Sequence, residues 1–239
     1  MKRAILWCSL FIVVLLAGQS GVIAQEVAKH AITFDDMIQM HRVGEAQVSP
    51  DGKSVAYTVS TPDMDANRGA SNIWIVLTTG GTLLQLTQSG HDSSPVWSPD
   101  GKMIAFLSSR SGDSQVYLLS MDGGEAKPLT HLSTGADIVK WSPDGKTIAF
   151  TSGVYPDCKD DACNSARDAE KEKNKVKAHV AEHLLYRHWT HWNDGKRGHL
   201  FVVPVDGSAV PRDLTAGANY DVPPDERGGP GDLNFSPDS

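Results

Sequence analysis

The residues best suited to chemistry lie in a histidine-rich stretch, which begins with His-Val-Ala-Glu-His at residues 179–183. On a helix, the two histidines of such a string share one face, and the glutamate can act on a metal-bound water, as in one class of zinc peptidase. The surrounding sequence is highly charged and provides no third protein ligand at a fitting interval. We therefore expect no catalytic metal here and expect only adventitious metal binding, with Glu182 as the test residue for the zinc alternative.

Aromatic and cationic side chains alternate directly after this string, at Arg187, His188, Trp189 and Trp192. Aromatic rings interleaved with Arg and His suit recognition of a peptide or a carboxylate. The same pattern also fits the end of an amphipathic helix whose tryptophans pack onto the domain. The two interpretations do not exclude one another, and these four residues are the candidate substrate-binding residues.

A catalytic nucleophile is not evident. The serine-hydrolase motif Gly-x-Ser-x-Gly needs a second glycine, which the partial matches at residues 52–54, 69–71 and 112–114 lack. The sequence also has no phosphate-binding glycine loop and no convincing pair of catalytic carboxylates. We expect no catalytic residue and no cofactor.

Cys158 and Cys163 are the two cysteines outside the N-terminal segment. Their spacing matches neither a zinc site nor the redox Cys-x-x-Cys motif. In an oxidising compartment such a pair predicts a small local disulfide.

The first 24 residues have the pattern of a secretory signal peptide. A basic Lys2-Arg3 pair precedes an apolar run over residues 4–17, and small residues precede Gln25. The run is too short for a stable membrane anchor, so the sequence predicts a secreted or periplasmic protein. The formal net charge of −7 argues against nucleic acid as a partner.

Three copies of Ser-Pro-Asp-Gly-Lys, at residues 49–53, 98–102 and 142–146, define the elements that must position these side chains. A Ser-Pro-Asp-Ser string at residues 236–239 begins a fourth copy. Proline presets the backbone for a turn, and glycine supplies the positive φ that follows it. Since each copy lies between apolar segments, each predicts a β-hairpin.

The segments between the turns repeat as well, each with an apolar strand, a glycine hairpin and a Leu-Thr ending at Thr87, Thr130 or Thr215. Turn prolines at positions 50, 99 and 143 are 49 and then 44 residues apart. This is the period of a four-stranded propeller blade, whereas solenoids of similar period are mostly helical. We predict an all-β fold, a partial β-propeller of antiparallel units centred on residues 73–106, 115–150 and 199–239.

The repeat is interrupted over residues 153–197. The hairpin glycines Gly81 and Gly124 are 43 residues apart, but Gly124 and Gly207 are 83 apart. Residues 166–186 contain many helix formers and no Pro or Gly, which predicts a helix. We predict a helical insertion that carries the candidate binding residues, because loops on a rigid scaffold are where binding usually occurs.

Residues 32–37, followed by Arg42-Val43-Gly44, resemble the start of secreted members of the prolyl oligopeptidase family of serine peptidases. The Trp-Ser-Pro-Asp-Gly-Lys copies are similar to the propeller repeats of that family and to the WD40-like repeats of TolB-like periplasmic propellers. Residues 185–189 and 198–203 resemble the dipeptidyl-peptidase V and acylaminoacyl-peptidase branch in particular.

The resemblance implies a parent protein in which the propeller covers a C-terminal α/β-hydrolase domain with a Ser-Asp-His triad. No part of that domain is recognisable here, so we expect the substrate-gating, non-catalytic propeller of a secreted peptidase, as a fragment or truncated gene product. The expected organisation is a signal peptide over 1–24, a leader over 25–47 and an incomplete propeller over 48–239. The implied partner is a peptide substrate. The alternative is a TolB-like periplasmic propeller that binds proteins.

Overall fold

The structure is a computed structural model that describes residues 30–179, 187–188, 191–192, 195–224 and 230–237. Its contacts divide the chain into two units, residues 1–37 and 38–239. In the first unit, Thr33 and Asp36 cap the start of helix α1 (Phe34–Gln39) reciprocally: Asp36 accepts the Thr33 N–H at 2.8 Å, and the Thr33 hydroxyl oxygen accepts the Asp36 N–H at 3.2 Å. The Thr33 hydroxyl also donates to Asp36, which lowers the pKa of this carboxyl.

Three four-stranded antiparallel sheets follow one another in the second unit, and we call them blades I, II and III. Blade I contains β1 (Arg42–Val48), β2 (Ser54–Asp63), β3 (Arg68–Leu77) and β4 (Leu84–Gln85). Blade II contains β5 (Asp92–Trp97), β6 (Met103–Ser108), β7 (Gln115–Ser120) and β8 (Lys127–Pro128). Blade III contains β9 (Asp137–Trp141), β10 (Thr147–Val154), β13 (Arg197–Pro204) and β14 (Arg212–Asp213). The prediction of an all-β partial propeller with four-stranded antiparallel blades is confirmed.

The polypeptide between β10 and β13 contains helix α2 (Asp161–Lys173) and a short hairpin of β11 (Arg187–His188) and β12 (His191–Trp192). A 3-10 turn, Pro230–Asp232, follows blade III. Among the described residues, no helix combines the length and the apolar character needed to cross a membrane.

The predicted grouping of strands into units is wrong by half a blade. The unit predicted over residues 73–106 joins the end of blade I to the start of blade II, whereas the sheets separate between Gln85 and Asp92. Blade I also begins at Arg42, inside the segment predicted as a leader. Apart from the insertion between β10 and β13, the connections between antiparallel strands are short: six residues join β3 to β4, and six join β4 to β5. Loop length therefore does not reveal which connection separates two sheets.

Period-two alternation explains how blade II is buried on both faces. One set of its side chains packs with Ala56 and Ile73 of blade I: Ile104, Phe106, Tyr117 and Leu119. The alternate set packs against blade III: Ala105, Leu107, Val116 and Leu118. In blade III, the Phe150 and Phe201 rings stack with centroids 5.5 Å apart. Two inter-blade cores therefore hold the three sheets together.

The Ser-Pro-Asp-Gly-Lys turn uses the same hydrogen bonds in every blade. In blade II, the Ser98 hydroxyl donates to Asp100 Oδ1 at 2.6 Å and accepts the Met103 N–H at 2.9 Å. Asp100 Oδ1 also accepts the Lys102 N–H at 3.1 Å. These bonds, that from Ser98 first, lower the pKa of Asp100. The equivalent groups are Ser49 with Asp51 and Ser142 with Asp144.

The turns of successive blades also stack. Gly101 has a φ of +71°, and a Cβ at this position would lie 3.7 Å from Pro50 Cδ of the preceding blade. Gly145 repeats the arrangement against Pro99. The backbone conformation thus requires glycine at this position, and the turns of successive blades lie next to one another.

The threonine that ends each repeated Leu-Thr segment makes the same hydrogen bond in every blade. The Thr130 hydroxyl oxygen accepts the Val116 N–H at 2.9 Å, which fastens the end of blade II to β7. Thr87 accepts the Ile73 N–H at 2.9 Å, and Thr215 accepts the Leu200 N–H at 3.1 Å.

The tryptophans before the turns connect neighbouring blades. Trp97 Nε1 donates to the Gln47 carbonyl at 3.1 Å, and Trp141 Nε1 donates to the Val96 carbonyl at 3.1 Å. Each indole therefore bonds to the first strand of the preceding blade.

Candidate functional site

The two ends of each blade differ in what they carry. Because successive antiparallel connections alternate between ends, the Ser-Pro-Asp-Gly turns and glycine hairpins share one end. The opposite end, which we call the loop face, holds the connections after the second and fourth strands, including residues 155–196. Two of these loops bond to one another, since the Ala136 N–H donates to the Ser114 carbonyl at 2.6 Å. The loop before blade II also bonds to β3, where the Ser71 N–H donates to the Gly90 carbonyl at 2.9 Å.

Tyr155 fixes the start of the insertion to blade III. Its side chain is buried, its hydroxyl donates to Asp168 Oδ1 at 3.0 Å, and its N–H donates to Asn164 Oδ1 at 2.9 Å. Asn164 is also buried and donates to the Asp160 carbonyl at 3.1 Å. Asn164 in the first turn of α2 and Asp168 in the second therefore accept hydrogen bonds from Tyr155, which hold the helix against the end of β10.

Cationic side chains of the described residues lie around the Tyr155 ring: Arg167, Lys171 and Lys196 are 5.0, 4.9 and 5.3 Å from its centroid. At these distances the ring quadrupole attracts each cation. Lys196 Nζ also pairs with Asp168 Oδ2 at 2.7 Å, so the chain returning to β13 is joined to α2. Arg167 pairs with Asp157, and its hydrogen bond lowers the pKa of that carboxyl.

The first turn of α2 is fastened to its surroundings. Asp160 caps the helix by accepting the Cys163 N–H at 2.9 Å. The hydroxyl of Ser133, in the connection between blades II and III, donates to Asp161 Oδ1 at 2.7 Å. The Cys158 and Cys163 sulfurs form a disulfide across a Cα separation of 5.4 Å. The helix predicted over residues 166–186 instead spans Asp161–Lys173, because the Asp160 cap starts it earlier and Asn174 leaves the helical conformation.

Three of the four candidate binding residues, Arg187, His188 and Trp192, lie on strands, so the interpretation of them as a helix end is wrong. Arg187 is opposite Trp192 in the β11–β12 hairpin, and His188 is opposite His191. Trp192 is 41% exposed, and its ring stacks on the His179 imidazole with centroids 4.1 Å apart. Trp189 lies outside the described residues. The hairpin therefore places Arg187 and Trp192 at one register position and His188 at the next.

The zinc-peptidase string is described only at its first residue. His179 follows α2 in non-helical backbone, so the argument from shared helical faces does not apply to it. Residues 180–183, with Glu182, lie outside the described residues. Within the described ranges, no group of three or more His, Cys, Asp or Glu side chains is arranged to hold a metal.

Two buried polar pairs on the loop face were missed by sequence reasoning. His199 is almost fully buried, with Nδ1 2.7 Å from Asp213 Oδ2 and Nε2 2.9 Å from the Ala218 carbonyl oxygen. The sequence indicates this burial only through alternation along β13, which puts His199 on the same strand face as the buried Phe201 and Val203. The second pair joins Asp92 to Arg110.

Asp92 is fully buried in blade II. Arg110 Nη2 donates to its Oδ1 at 2.7 Å, while the guanidinium lies 4.8 Å from the Tyr117 ring centroid. Burial raises the pKa of Asp92, but hydrogen bonds from Ser108 and Arg110 outweigh it, so the pKa is lowered. Asp92 is therefore ionised, and its ion pair with Arg110 stabilises blade II at the loop face.

The fold is that of a β-propeller, because four-stranded sheets lie side by side with their turns at one end. The long insertion lies at the opposite end. The model of the TolB β-propeller domain matches residues 16–170. The chain belongs to this family.

The comparison with whole proteins finds a peptidase that aligns with the full length of this chain. Dipeptidyl-peptidase 5 of Porphyromonas endodontalis is 29% identical over 247 aligned positions, covering 100% of this chain and 35% of the relative. The chain thus spans about a third of that relative's length, and it fits the N-terminal propeller region of a prolyl oligopeptidase family peptidase.

Two other similarities are more restricted. The Tol-Pal system protein TolB of Bordetella pertussis is 45% identical over 58 residues, which is 23% of this chain and 13% of that protein. The structure of the Pyrococcus horikoshii acylaminoacyl peptidase is similar with a TM-score of 0.57 and 15% identity, over 74% of this chain and 26% of that chain. The latter similarity supports the fold.

Proposed function

We propose that this chain is the substrate-gating, non-catalytic propeller of a secreted serine peptidase of the prolyl oligopeptidase family, of dipeptidyl or acylaminoacyl type. The observation that carries the proposal is the match to dipeptidyl-peptidase 5 over the whole of this chain. TolB, by contrast, matches over 58 residues, a stretch little longer than one blade.

The gating role is assigned to the insertion on the loop face. Its base is held to blade III through Tyr155, and its β11–β12 hairpin presents the exposed indole of Trp192. An insertion with a fixed base and an exposed aromatic tip can contact a peptide without collapsing onto the blade. In this proposal, Arg187 and His188 contribute donors for peptide carboxylate or carbonyl groups, and the residues that cleave the peptide belong to a hydrolase domain elsewhere in the parent protein.

Secretion or export to the periplasm is part of the same proposal. The basic and apolar pattern of residues 1–24 supports it. So does the Cys158–Cys163 disulfide, since such bonds persist in oxidising compartments.

Peptide binding tests the proposal. Fluorescein-labelled peptides of five to ten residues with free N-termini are titrated with the purified chain, and anisotropy is measured. Trp192→Ala should weaken binding about tenfold, because an exposed aromatic contact is removed. The matched control is Leu84→Ala, which removes a 58% exposed apolar side chain from blade I. Equal affinities for both variants and the wild type, or no binding, would refute the role of the hairpin.

The alternative function is protein binding of the TolB kind, which the family match favours. In that case a folded partner protein should bind to the loop face, and short peptides should not bind. Saturable binding of short peptides that depends on Trp192 would count against this alternative.

A further inference from the structure

One strand position fastens the following loop in all three blades. It lies two residues before the Trp, Tyr or Phe of each blade's third strand, and its occupants differ in chemistry: Asn72 in β3, Gln115 in β7 and His199 in β13. Asn72 Oδ1 accepts the Gly90 N–H at 2.9 Å, and Gln115 Nε2 donates to the Leu132 carbonyl at 2.7 Å. Blades I and II therefore use an uncharged amide, whereas blade III uses a group that titrates.

His199 meets a hydrogen-bond acceptor at each of its ring nitrogens. Its Nε2 lies 2.9 Å from the Ala218 carbonyl oxygen, and its Nδ1 lies 2.7 Å from Asp213 Oδ2. A backbone carbonyl can only accept, so this bond requires a proton at Nε2. A neutral imidazole would then have only a lone pair at Nδ1, whereas the amide of Gln115 satisfies its loop without any charge.

Asp213 has the contacts of an ionised carboxylate. Its Oδ1 accepts the Thr215 N–H at 2.8 Å and the Thr215 hydroxyl at 3.3 Å, and its side chain is 20% exposed to water. An ionised carboxylate donates no proton, so its bond to His199 requires a proton at Nδ1 as well. Both bonds of His199 therefore form together only when the imidazole is protonated.

Burial makes this second proton decisive. The His199 side chain is 1% exposed, so water cannot bridge either nitrogen to its acceptor. With a single proton, one nitrogen would turn its lone pair toward an oxygen lone pair, which is unfavourable in a buried site. The bond to a carboxylate is the stronger of the two because it is charge-assisted. The remaining proton would therefore stay at Nδ1, and the bond to Ala218 would be lost.

The other charged groups of the surrounding elements do not bond to His199 in the described part of the chain. Strand β10 contains no charged residue, and Ser152 is the residue opposite His199. In the loop after β14, Asp221 Oδ1 accepts the Gly198 N–H at 2.8 Å. The remaining charged residues of β13 and β14 are Arg197 and Arg212.

The loop over residues 216–222 follows β14 on the loop face, and more than half of its residues are exposed. Its far end is bonded to β13, where the Val222 N–H donates to the Gly198 carbonyl at 2.7 Å. Lys196, two positions before Gly198, is paired to helix α2. The loop is thus attached to the strand by which the insertion returns to blade III, and His199 bonds to its middle.

We propose that His199 is a buried imidazolium and acts as a proton-dependent latch, which holds this loop to β13 and releases it at Ala218 when the proton is lost. Above about pH 6.5, a histidine of the unfolded chain is mostly neutral, so the folded chain binds the extra proton. The latch therefore contributes fully to stability in mild acid, and its contribution is lost as the pH rises. The proposal is independent of peptide gating, because it concerns only the attachment of this loop.

Nitrogen NMR of the histidine rings in the full chain tests the protonation state directly. At about pH 7.5 a free imidazole is mostly neutral. We expect both ring nitrogens of His199 to have the chemical shift of protonated nitrogens at this pH. The signals are assigned by their absence from His199→Gln, which places the amide of blade II at this position. A neutral His199 ring in the wild type overturns the proposal.

Amide hydrogen exchange tests the release of the loop. The protection factor of the Val222 N–H, which corrects for the intrinsic effect of pH, should fall about tenfold between about pH 6 and pH 9, because one hydrogen bond of the loop is lost. The Leu132 N–H is the internal control, since it donates to the uncharged Gln115 Oε1 at 3.1 Å. Its protection should not change. An unchanged Val222, or an equal change at Leu132, contradicts the latch.

Asp213→Asn separates charge from shape. Asparagine keeps an acceptor for Thr215 and can place its NH₂ group against Nδ1 of a neutral His199, so both bonds of the ring form without a charge. Protection of Val222 should then be equal at both pH values. Asp221→Asn is the matched control, because it removes the same charge from the same loop and keeps the acceptor for the Gly198 N–H. Wild-type pH dependence in Asp213→Asn, or its loss in Asp221→Asn, overturns the proposal.

Discussion

The Tyr155 hydroxyl donates a hydrogen bond to Asp168 Oδ1 over 3.0 Å, joining the residue after β10 to the middle of α2. Tyr155→Phe removes this bond and keeps the ring. We expect a loss of about 0.5–1.5 kcal/mol in the free energy of unfolding. Faster amide hydrogen exchange should be confined to α2, because its attachment to blade III is weakened.

Tyr220→Phe is the matched control for this change. Tyr220 is 62% exposed, and its hydroxyl has no hydrogen-bond partner among the described residues. Urea unfolding should give the same stability for this variant and the wild type. If exchange in α2 is unchanged in Tyr155→Phe, the bond does not hold the insertion in place.

The Thr130 hydroxyl should stabilise blade II. Thr130→Val keeps the shape of this fully buried side chain but leaves the Val116 N–H without its acceptor. We expect a loss of about 1–3 kcal/mol, measured by urea unfolding. The control is Thr147→Val, since Thr147 lies in β10 and its hydroxyl has no partner in the described part of the chain. Equal losses in both variants would show that the hydroxyl bond is unimportant.

Acid should destabilise the propeller through its turns. Hydrogen bonds from the turn serines lower the pKa values of Asp51, Asp100 and Asp144 below the ordinary 3.8. A lowered folded-state pKa means that the contribution to stability is complete above pH 3.8 and is lost as the pH falls through the lowered values. Replacing all three by Asn should therefore flatten the fall in urea midpoint between about pH 5 and pH 2.

Asp113→Asn serves as the control for the acid experiment, because Asp113 is exposed in a loop of blade II and accepts no hydrogen bond from the described residues. It should leave the pH dependence as in the wild type. A triple variant whose stability falls with acid as steeply as the wild type would contradict the role of the turns.

Cys158 and Cys163 should be oxidised in protein purified without reductant. Thiol titration of the mature chain, unfolded without reductant, should detect no free thiol from this pair, and prior reduction should expose two. Two thiols before reduction would contradict the disulfide.

The sequence was sufficient to predict the turns and the blade type, since proline presets the turn backbone at Pro50 and a positive φ favours glycine at Gly101. It was not sufficient to group the strands. β4 and β8 contain two residues each, too few to show a strand pattern, so the boundary between Gln85 and Asp92 was hidden.

The candidate site was predictable only in outline. The position of the insertion follows from the interrupted repeat, but its attachment depends on Tyr155, Asn164 and Asp168, which meet only in three dimensions. Nothing in the sequence indicated the hairpin at Arg187–His188, because the segment contains neither Gly nor Pro, so a helix end was one of the two interpretations of it. His199 was missed because burial of a histidine depends on partners from β14 and the following loop.

The central claim is that this chain contacts peptide substrates without cleaving them. The most direct measurement is the turnover of dipeptidyl and acylaminoacyl chromogenic substrates by the purified chain, with and without added zinc. We predict no turnover under either condition, because the chain contains no Gly-x-Ser-x-Gly motif and no convincing zinc site. Turnover that a chelator abolishes and that Glu182→Gln eliminates would contradict this account in favour of a metal-dependent peptidase.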